Sequence, residues 1–187
     1  HGVDAVGEAL TAAEGGIGAD FVEGNDGNDI LTDIAGDDTV SGGNGNNLVI
    51  AGVGNDTVSS GSGNDVVLGD NGVILVDTVG ALALVTTGDP LLGGDDLIST
   101  GGGNDLAMGG AGNDTYVVDD AGDVVTEASS AGTDTVQATL SSYTLAADVA
   151  VDSRPVVADV IQAPAQPVAD EWPADDVDDD LTAALDN

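Results

Sequence analysis

Read from Gly15, apolar and polar positions recur every nine residues, a period that neither a helix nor a simple strand produces. Seven consecutive rows keep this frame: GGIGADFVE, GNDGNDILT, DIAGDDTVS, GGNGNNLVI, AGVGNDTVS, SGSGNDVVL and GDNGVILVD. Position four is Gly in each row, as Gly18, Gly27, Gly36, Gly45, Gly54, Gly63 and Gly72. Position six is Asp20, Asp29, Asp38, Asp56 and Asp65, with Asn47 and Ile74 departing from the rule, and position eight is always Val or Leu. The frame breaks over 78–90 and resumes as LLGGDDLIS, TGGGNDLAM and GGAGNDTYV, residues 91–117. Gly103, Gly112, Asp96, Asp105 and Asp114 hold the same phases there, and SSAGTDTVQ at 129–137 is a degenerate further row.

Each row predicts one strand and one turn. Positions seven to nine form a very short strand whose middle side chain points to one face and whose flanks point to the other. The Gly-rich remainder supplies turns that need positive φ. One such strand buries almost nothing alone. Rows must therefore stack at about 4.8 Å, converting the position-eight column into a continuous narrow core. The fold class predicted is all-β, a solenoid in two blocks, 15–77 and 91–117, separated by an insert at 78–90. Ile74 offers no oxygen where other rows place Asp or Asn, which predicts an interruption at that row. VILVDTVGALALVTT (73–87), with Gly80 and Ala81 between two apolar runs, reads as an inserted hairpin. Residues 1–14 contain the helix-friendly EALTAAE and are expected to cap the first row or to form a boundary segment. Residues 150–187 read as a disordered, Pro-punctuated acidic tail.

Composition narrows the function. The 187 residues carry 30 Asp and five Glu against a single Arg, for a net charge of -34. Nucleic acid is excluded as a partner, because binding it requires Lys and Arg to neutralise phosphates. No apolar stretch approaches the ~20 residues of a membrane helix, so no membrane insertion is expected. Cys and Lys are absent and the one His is His1, which leaves Ser-His, Cys-His and Lys-based catalysis without residues. No enzymatic activity is expected within these residues. Aromatic content is 2%, yet the hydrophobic 41% is held in phase, which argues against a disordered tract.

Oxygen is the donor that remains. Turns built on Gly point carbonyls inward, and an Asp two residues later adds a carboxylate to the same concavity. Such all-oxygen cages select Ca²⁺ over transition metals, and their irregular carbonyls suit calcium better than octahedral Mg²⁺. Candidate calcium ligands are the side chains of Asp20, Asp29, Asp38, Asn47, Asp56, Asp65, Asp96, Asp105 and Asp114. The loops at Gly18, Gly27, Gly36, Gly45, Gly54, Gly63, Gly103 and Gly112 would add carbonyls.

At these residues the chain resembles the RTX family of hemolysin-type calcium-binding nonapeptide repeats, whose signature is GGxGxDxUx. The resemblance covers about 15–137, and it implies that residues 118–149 are a C-terminal flanking cap over the open core. It implies a right-handed parallel β-roll with two rows per turn and several Ca²⁺ ions between successive turns. It also implies type I secretion and folding outside the cell, and so an extracellular or cell-surface location. Under it, Asp20, Asp38 and Asp56 stack on one side, and Asp29, Asn47 and Asp65 on the other. The neutral Asn47 lowers the charge of the sites it shares. Asp105, without an obvious ligand two rows earlier, is expected to matter less than Asp38. The terminal DDVDDDLTAALDN resembles a secretion signal loosely, with a disordered linker as the equal alternative.

The leading functional expectation is a calcium-dependent extracellular β-roll serving the stability or assembly of a secreted or surface protein. The alternatives are the carboxyl-terminal portion of a larger secreted protease, lipase or nuclease, and a surface-layer, filament or matrix unit. The outward strand positions add one feature. Ile30, Leu48, Ile50, Val66 and Leu68, joined by Leu106 and Met108 if 78–90 counts as one enlarged row, make one side apolar, whereas Thr39, Ser41, Thr57 and Ser59 make the other hydroxylated. Contiguous apolar patches are rarely left uncovered. Cover by the hairpin, the tail or another copy is expected, and an intermolecular contact is favoured because the hairpin is too short to span four rows.

Overall fold

The computed structural model describes residues 2–4, 11–89, 91–127, 131–140 and 143–144. Each row becomes one short strand, and alternate rows fall into opposite sheets. The first sheet runs β1 (Gly2–Asp4), β3 (Phe21–Glu23), β5 (Thr39–Ser41), β7 (Thr57–Ser59), β11 (Leu97–Gly101), β13 (Thr115–Val118) and β15 (Thr135–Ala138). The second runs β2 (Thr11–Glu14), β4 (Asp29–Thr32), β6 (Leu48–Ile50), β8 (Val66–Leu68), β12 (Leu106–Met108) and β14 (Val124–Val125). All pairing in both sheets is parallel, with Val22 opposite Val40, Val40 opposite Val58, Leu31 opposite Val49 and Val49 opposite Val67. The result is a parallel β-roll of about six turns, and no helix occurs among the described residues.

Position eight builds the core as the period requires. Val22, Leu31, Val49, Val67, Ile98, Ala107 and Tyr116 are fully buried, and Val40, Val58, Val125 and Val136 nearly so. Each buried Val or Leu contributes roughly 1.5–3 kcal/mol, so the column is the main apolar stabilisation of the roll. The turns are laddered as well as the strands. Gly27 donates its N–H to Asn44 O at 2.8 Å, and Gly45 to Ser62 O at 2.7 Å, so turn amides at these positions are paired with the next turn. Gly45 shows why position four excludes side chains: its φ is 119°, and a Cβ would fall on the carbonyl oxygen of Gly27 in the turn below.

The seventh row leaves the roll. β8 pairs directly with β12 and β7 with β11, whereas β9 (Gly72–Val76) pairs antiparallel with β10 (Leu82–Thr87) in an extruded hairpin. The first block of rows therefore closes at Leu68 and not at Asp77. Val76, in the position-eight phase, is 48% exposed. The physical reason is Ile74, which has no side-chain oxygen to accept a backbone amide from the neighbouring turn. The loop interrupted by the hairpin is completed from both sides of it. Gly69 accepts from Gly52 N–H at 3.0 Å, Asp70 donates to Gly109 O at 2.9 Å, and Asp96 accepts from Asp56 N–H at 2.8 Å. The strands of rows 69–77 and 78–90 leave together as the hairpin, so Leu106 and Met108 do reach the apolar side, through extrusion of both strands and not through one enlarged row.

Both ends extend the roll. Backbone pairing of β1 with β3 and of β2 with β4 places Thr11–Glu14 in a strand, so sheet pairing overrides the local helix preference of EALTAAE. The flank after Val118 is more than a lid: β14 and β15 add a further turn, and Tyr143 donates its hydroxyl to Asp123 O at 2.9 Å. The tail assigned to 150–187 lies outside the described residues. The hairpin answers part of the cover expected for the apolar side. Leu82, Ala83, Leu84 and Val85 face Leu106, Met108 and Thr126 across a groove of about 320 Å³, and Leu68 is fully buried.

Candidate metal centres

The loops on the two edges of the roll bring the position-six residues into two columns. The first holds Asp20, Asp38, Asp56, Asp96, Asp114 and Asp134. Asp20 N–H donates to Asp38 Oδ1 at 2.7 Å, Asp38 to Asp56 at 2.8 Å, Asp56 to Asp96 at 2.8 Å, Asp96 to Asp114 at 2.8 Å and Asp114 to Asp134 at 3.0 Å. The second holds Asp29, Asn47, Asp65, Asp105 and Asp123, linked in the same way at 2.9, 2.7, 2.7 and 3.1 Å. Asp105 thus stands between Asp65 and Asp123. The expectation that it lacks a ligand two rows earlier fails, because extrusion of the hairpin brings Asp65 directly beside it. The position-four glycines stack in parallel columns. A Cβ at Gly36 would meet the carbonyl of Gly18, one at Gly54 that of Gly36, one at Gly63 that of Gly45, one at Gly103 that of Gly63 and one at Gly112 that of Gly94.

The carboxylates of Asp38, Asp56, Asp65, Asp96, Asp105, Asp114, Asp123 and Asp134 each spend one oxygen on a neighbouring turn's amide. The second oxygens of Asp38, Asp56, Asp65, Asp96, Asp105 and Asp114 are buried without a hydrogen-bond partner, as are Asp33 Oδ2, Asp70 Oδ1 and Glu127 Oε2. Folded proteins leave few buried polar atoms unmatched, and unmatched carboxylates are the most costly kind. The one Arg of the chain is Arg154, outside the described residues, so no basic side chain among the described residues answers them. Burial, opposed by the backbone amides and reinforced by neighbouring carboxylates, pushes Asp96 up to about 9 and Asp56, Asp105 and Asp114 up to about 7. Burial likewise raises Glu127 to about 8 and Asp65 and Asp70 to about 6. Carboxyls held that far above their usual range of about 4 are short of positive charge.

The donor set fits a hard cation: every group is oxygen, the unmatched atoms face the loops, and calcium accommodates the irregular number of carbonyls available. Calcium would be held by the column carboxylates with turn carbonyls, and it would supply the missing neutralisation. Five acidic residues of these loops escaped the sequence reading: Asp33, Asp70, Asp123, Glu127 and Asp134. Asp123 and Asp134 were legible, since both occupy the position-six phase of a degenerate row. Asp33, at position one, joins Asp20 and Asp38 in a group whose carboxylate oxygens lie within 4.8 Å of one another. Position five also carries an unread pattern. Asn46 donates its N–H to Asn28 Oδ1, Asn64 to Asn46 and Asn104 to Asn64, at 2.8, 2.7 and 2.9 Å, forming an exposed ladder that runs opposite to the position-six one.

Asn47 shows what a neutral side chain does in this column. Its Nδ2 donates to Gly45 O at 3.3 Å and Ser60 O at 3.5 Å, while Oδ1 still accepts from Asp29 N–H. Asn47→Asp would turn those donations into carboxylate-carbonyl repulsion. The variant is expected to destabilise the metal-free fold and to bind calcium several-fold more tightly. Calorimetric titration of calcium into the variant checks this, and weaker binding than in the parent would contradict the register.

Three stretches, 14–49, 41–73 and 92–125, match the family described as RTX calcium-binding nonapeptide repeat (4 copies). No curated protein and no solved structure matches the chain. The matched stretches coincide with the rows that build the two carboxylate columns, and the parallel β-roll is the architecture such repeats form. The chain belongs to the family of RTX calcium-binding nonapeptide repeat proteins.

Proposed function

We propose that this chain is an extracellular calcium-binding β-roll that folds on binding Ca²⁺ after secretion and serves the stability or assembly of a secreted or surface protein. The observation that carries the reading is the set of buried carboxylate oxygens without hydrogen-bond partner or counter-charge. Asp20, Asp38, Asp56, Asp96 and Asp114 would hold ions on one edge, and Asp29, Asn47, Asp65 and Asp105 on the other. Extracellular calcium modules work at about 10⁻⁴–10⁻³ M calcium, a level at which these sites would fill only outside the cell. Binding free energy then becomes folding free energy, because the sites do not exist in the expanded chain. Assembly would use the part of the apolar side around Ile30, Leu48 and Ile50, away from the groove beneath the hairpin at Leu106 and Met108. Circular dichroism tests the reading: EGTA should leave an unfolded spectrum that millimolar calcium converts cooperatively to β-sheet. A fully folded spectrum in EGTA would overturn it.

A further inference from the structure

The two carboxylate columns end differently at the C-terminal side. In the second column, the terminal Asp123 is answered by protein donors: its Oδ2 accepts from the Thr100 hydroxyl at 3.0 Å and from the N–H groups of Asp119 and Asp120 at 3.3 and 3.2 Å. In the first column, Asp114 and Asp134 meet a third carboxylate, Glu127, and among the described residues no side-chain donor closes the set. The three are 1%, 2% and 6% exposed respectively, and their carboxylate oxygens lie within 4.8 Å of one another. Asp114 Oδ2 and Glu127 Oε2 are buried without a hydrogen-bond partner.

We propose that Asp114, Glu127 and Asp134 form a divalent-cation site of their own, which locks the final turn of the roll onto the turn before it. This rests on the calcium-roll reading and adds a third carboxylate to the position-six pair Asp114 and Asp134, as Asp33 does for Asp20 and Asp38. Glu127 belongs to no nonapeptide phase. It falls between the rows 118–126 and 129–137, and the step from Asp114 to Asp134 is 20 residues where repeat neighbours are 18 apart. Its place in the stack is that of Gly109 one turn earlier, whose N–H donates to Glu127 Oε1 at 3.2 Å. A side chain therefore reaches the loop where the repeat rows 15–23 and 109–117 open with Gly. Three carboxylates from two successive turns carry more charge than a divalent ion cancels, so the site favours hard oxygen-seeking cations of high charge, Ca²⁺ and the trivalent lanthanides of similar size. The residues it joins lie just before β13, just after β14 and just before β15. An ion there ties the last strands of both sheets to the body of the roll.

The site has a built-in optical reporter. Tyr116 fills position eight of the adjacent row, its hydroxyl accepts from Gly109 N–H, and its oxygen and Asp114 Oδ2 both crowd the space a Cβ at Gly109 would take. A terbium ion bound by the three carboxylates would lie beside a tyrosine able to sensitise its emission. The experiment uses the full chain with Trp172→Phe as background, comparing it with Glu127→Gln and Asp134→Asn. Both amides retain an oxygen to accept the backbone N–H that the carboxylate accepts, as Asn47 does. Each variant should bind one calcium fewer per chain and lose most of the tyrosine-sensitised terbium emission, while keeping the parent's calcium-loaded circular dichroism. Unchanged stoichiometry and emission in Glu127→Gln would overturn the proposal. So would loss of calcium-induced folding in both variants, since a local lock leaves the earlier turns intact. Failure of the background chain itself to bind or fold with calcium would instead sink the calcium-roll reading.

Discussion

Asp96→Asn is expected to stabilise the metal-free fold and to weaken the calcium-loaded one. Asp96 lies mid-column, accepting from Asp56 N–H and donating to Asp114 Oδ1. Burial first, then the charges of Asp114, Asp70 and Asp56, drives its carboxyl up to about 9. At neutral pH without a cation it must take up a proton to be buried, which costs the fold on the order of a few kcal/mol. Asn removes that cost and keeps the oxygen that accepts the Asp56 amide. Ala would blur the result, because it leaves that buried N–H unmatched at a further cost of about 1–3 kcal/mol. With calcium present the sign reverses. The substitution takes a charged ligand from the sites above and below it, and affinity there should fall at least tenfold, about 1.4 kcal/mol. The residual folded fraction in EGTA, read by circular dichroism, and urea denaturation with calorimetric titration in calcium read the two effects. Asp95→Asn is the control. Asp95 is exposed and accepts from Asn113 N–H at 2.6 Å, and its substitution should change little. A destabilised metal-free Asp96→Asn would refute the argument.

The pH response should likewise invert with calcium. In the metal-free fold Asp56, Asp105 and Asp114 stand at about 7, Glu127 at about 8 and Asp96 at about 9, against about 4 in the unfolded chain. Between about pH 4 and pH 9 the folded state therefore holds more protons than the unfolded one. Its stability falls as pH rises through that window and is recovered on acidification. Calcium holds the same carboxylates ionised, so the loaded fold behaves as one with depressed carboxyl pKa values and loses stability as pH falls. Lowering pH from about 7.5 to about 5 in EGTA should promote compaction, and the same step at fixed low-millimolar calcium should lower the melting temperature. Circular dichroism in EGTA and thermal melts in calcium across that range check the inversion. Equal slopes with and without calcium would show that the column carboxylates do not govern stability.

Much of the candidate site was legible because a nine-residue period leaves few ways to place Gly, Asp and Val. Asp20, Asp38 and Asp56 stack as the family resemblance implies, and Asn47 takes its place between Asp29 and Asp65. What escaped were residues whose role depends on a neighbour distant in the chain. Asp105 reads as isolated until the hairpin is extruded and Asp65 arrives beside it at 2.7 Å. Asp70 belongs to a loop finished by Gly93–Asp96, on the far side of the insert, and its Oδ2 accepts from Ala111 N–H at 2.5 Å. Glu127 has no phase in the repeat at all, and only the added turn of β14 and β15 brings it to Asp114 and Asp134.

The sequence by itself determined the all-β repeat, the position-eight core and the donor chemistry. These are local matters: a Gly can take positive φ, an Asp offers oxygen, and a Val every ninth residue can be buried only by stacking. The tertiary structure decided where the roll is interrupted, which strands close its ends and which carboxylates share a site. Thr11–Glu14 is a strand because β4 offers an edge to pair with, and Val76 is exposed because Ile74 cannot accept the amide that would hold its row in register. Such outcomes depend on partners tens of residues away, and the free energy of pairing outweighs the local preference at each of them.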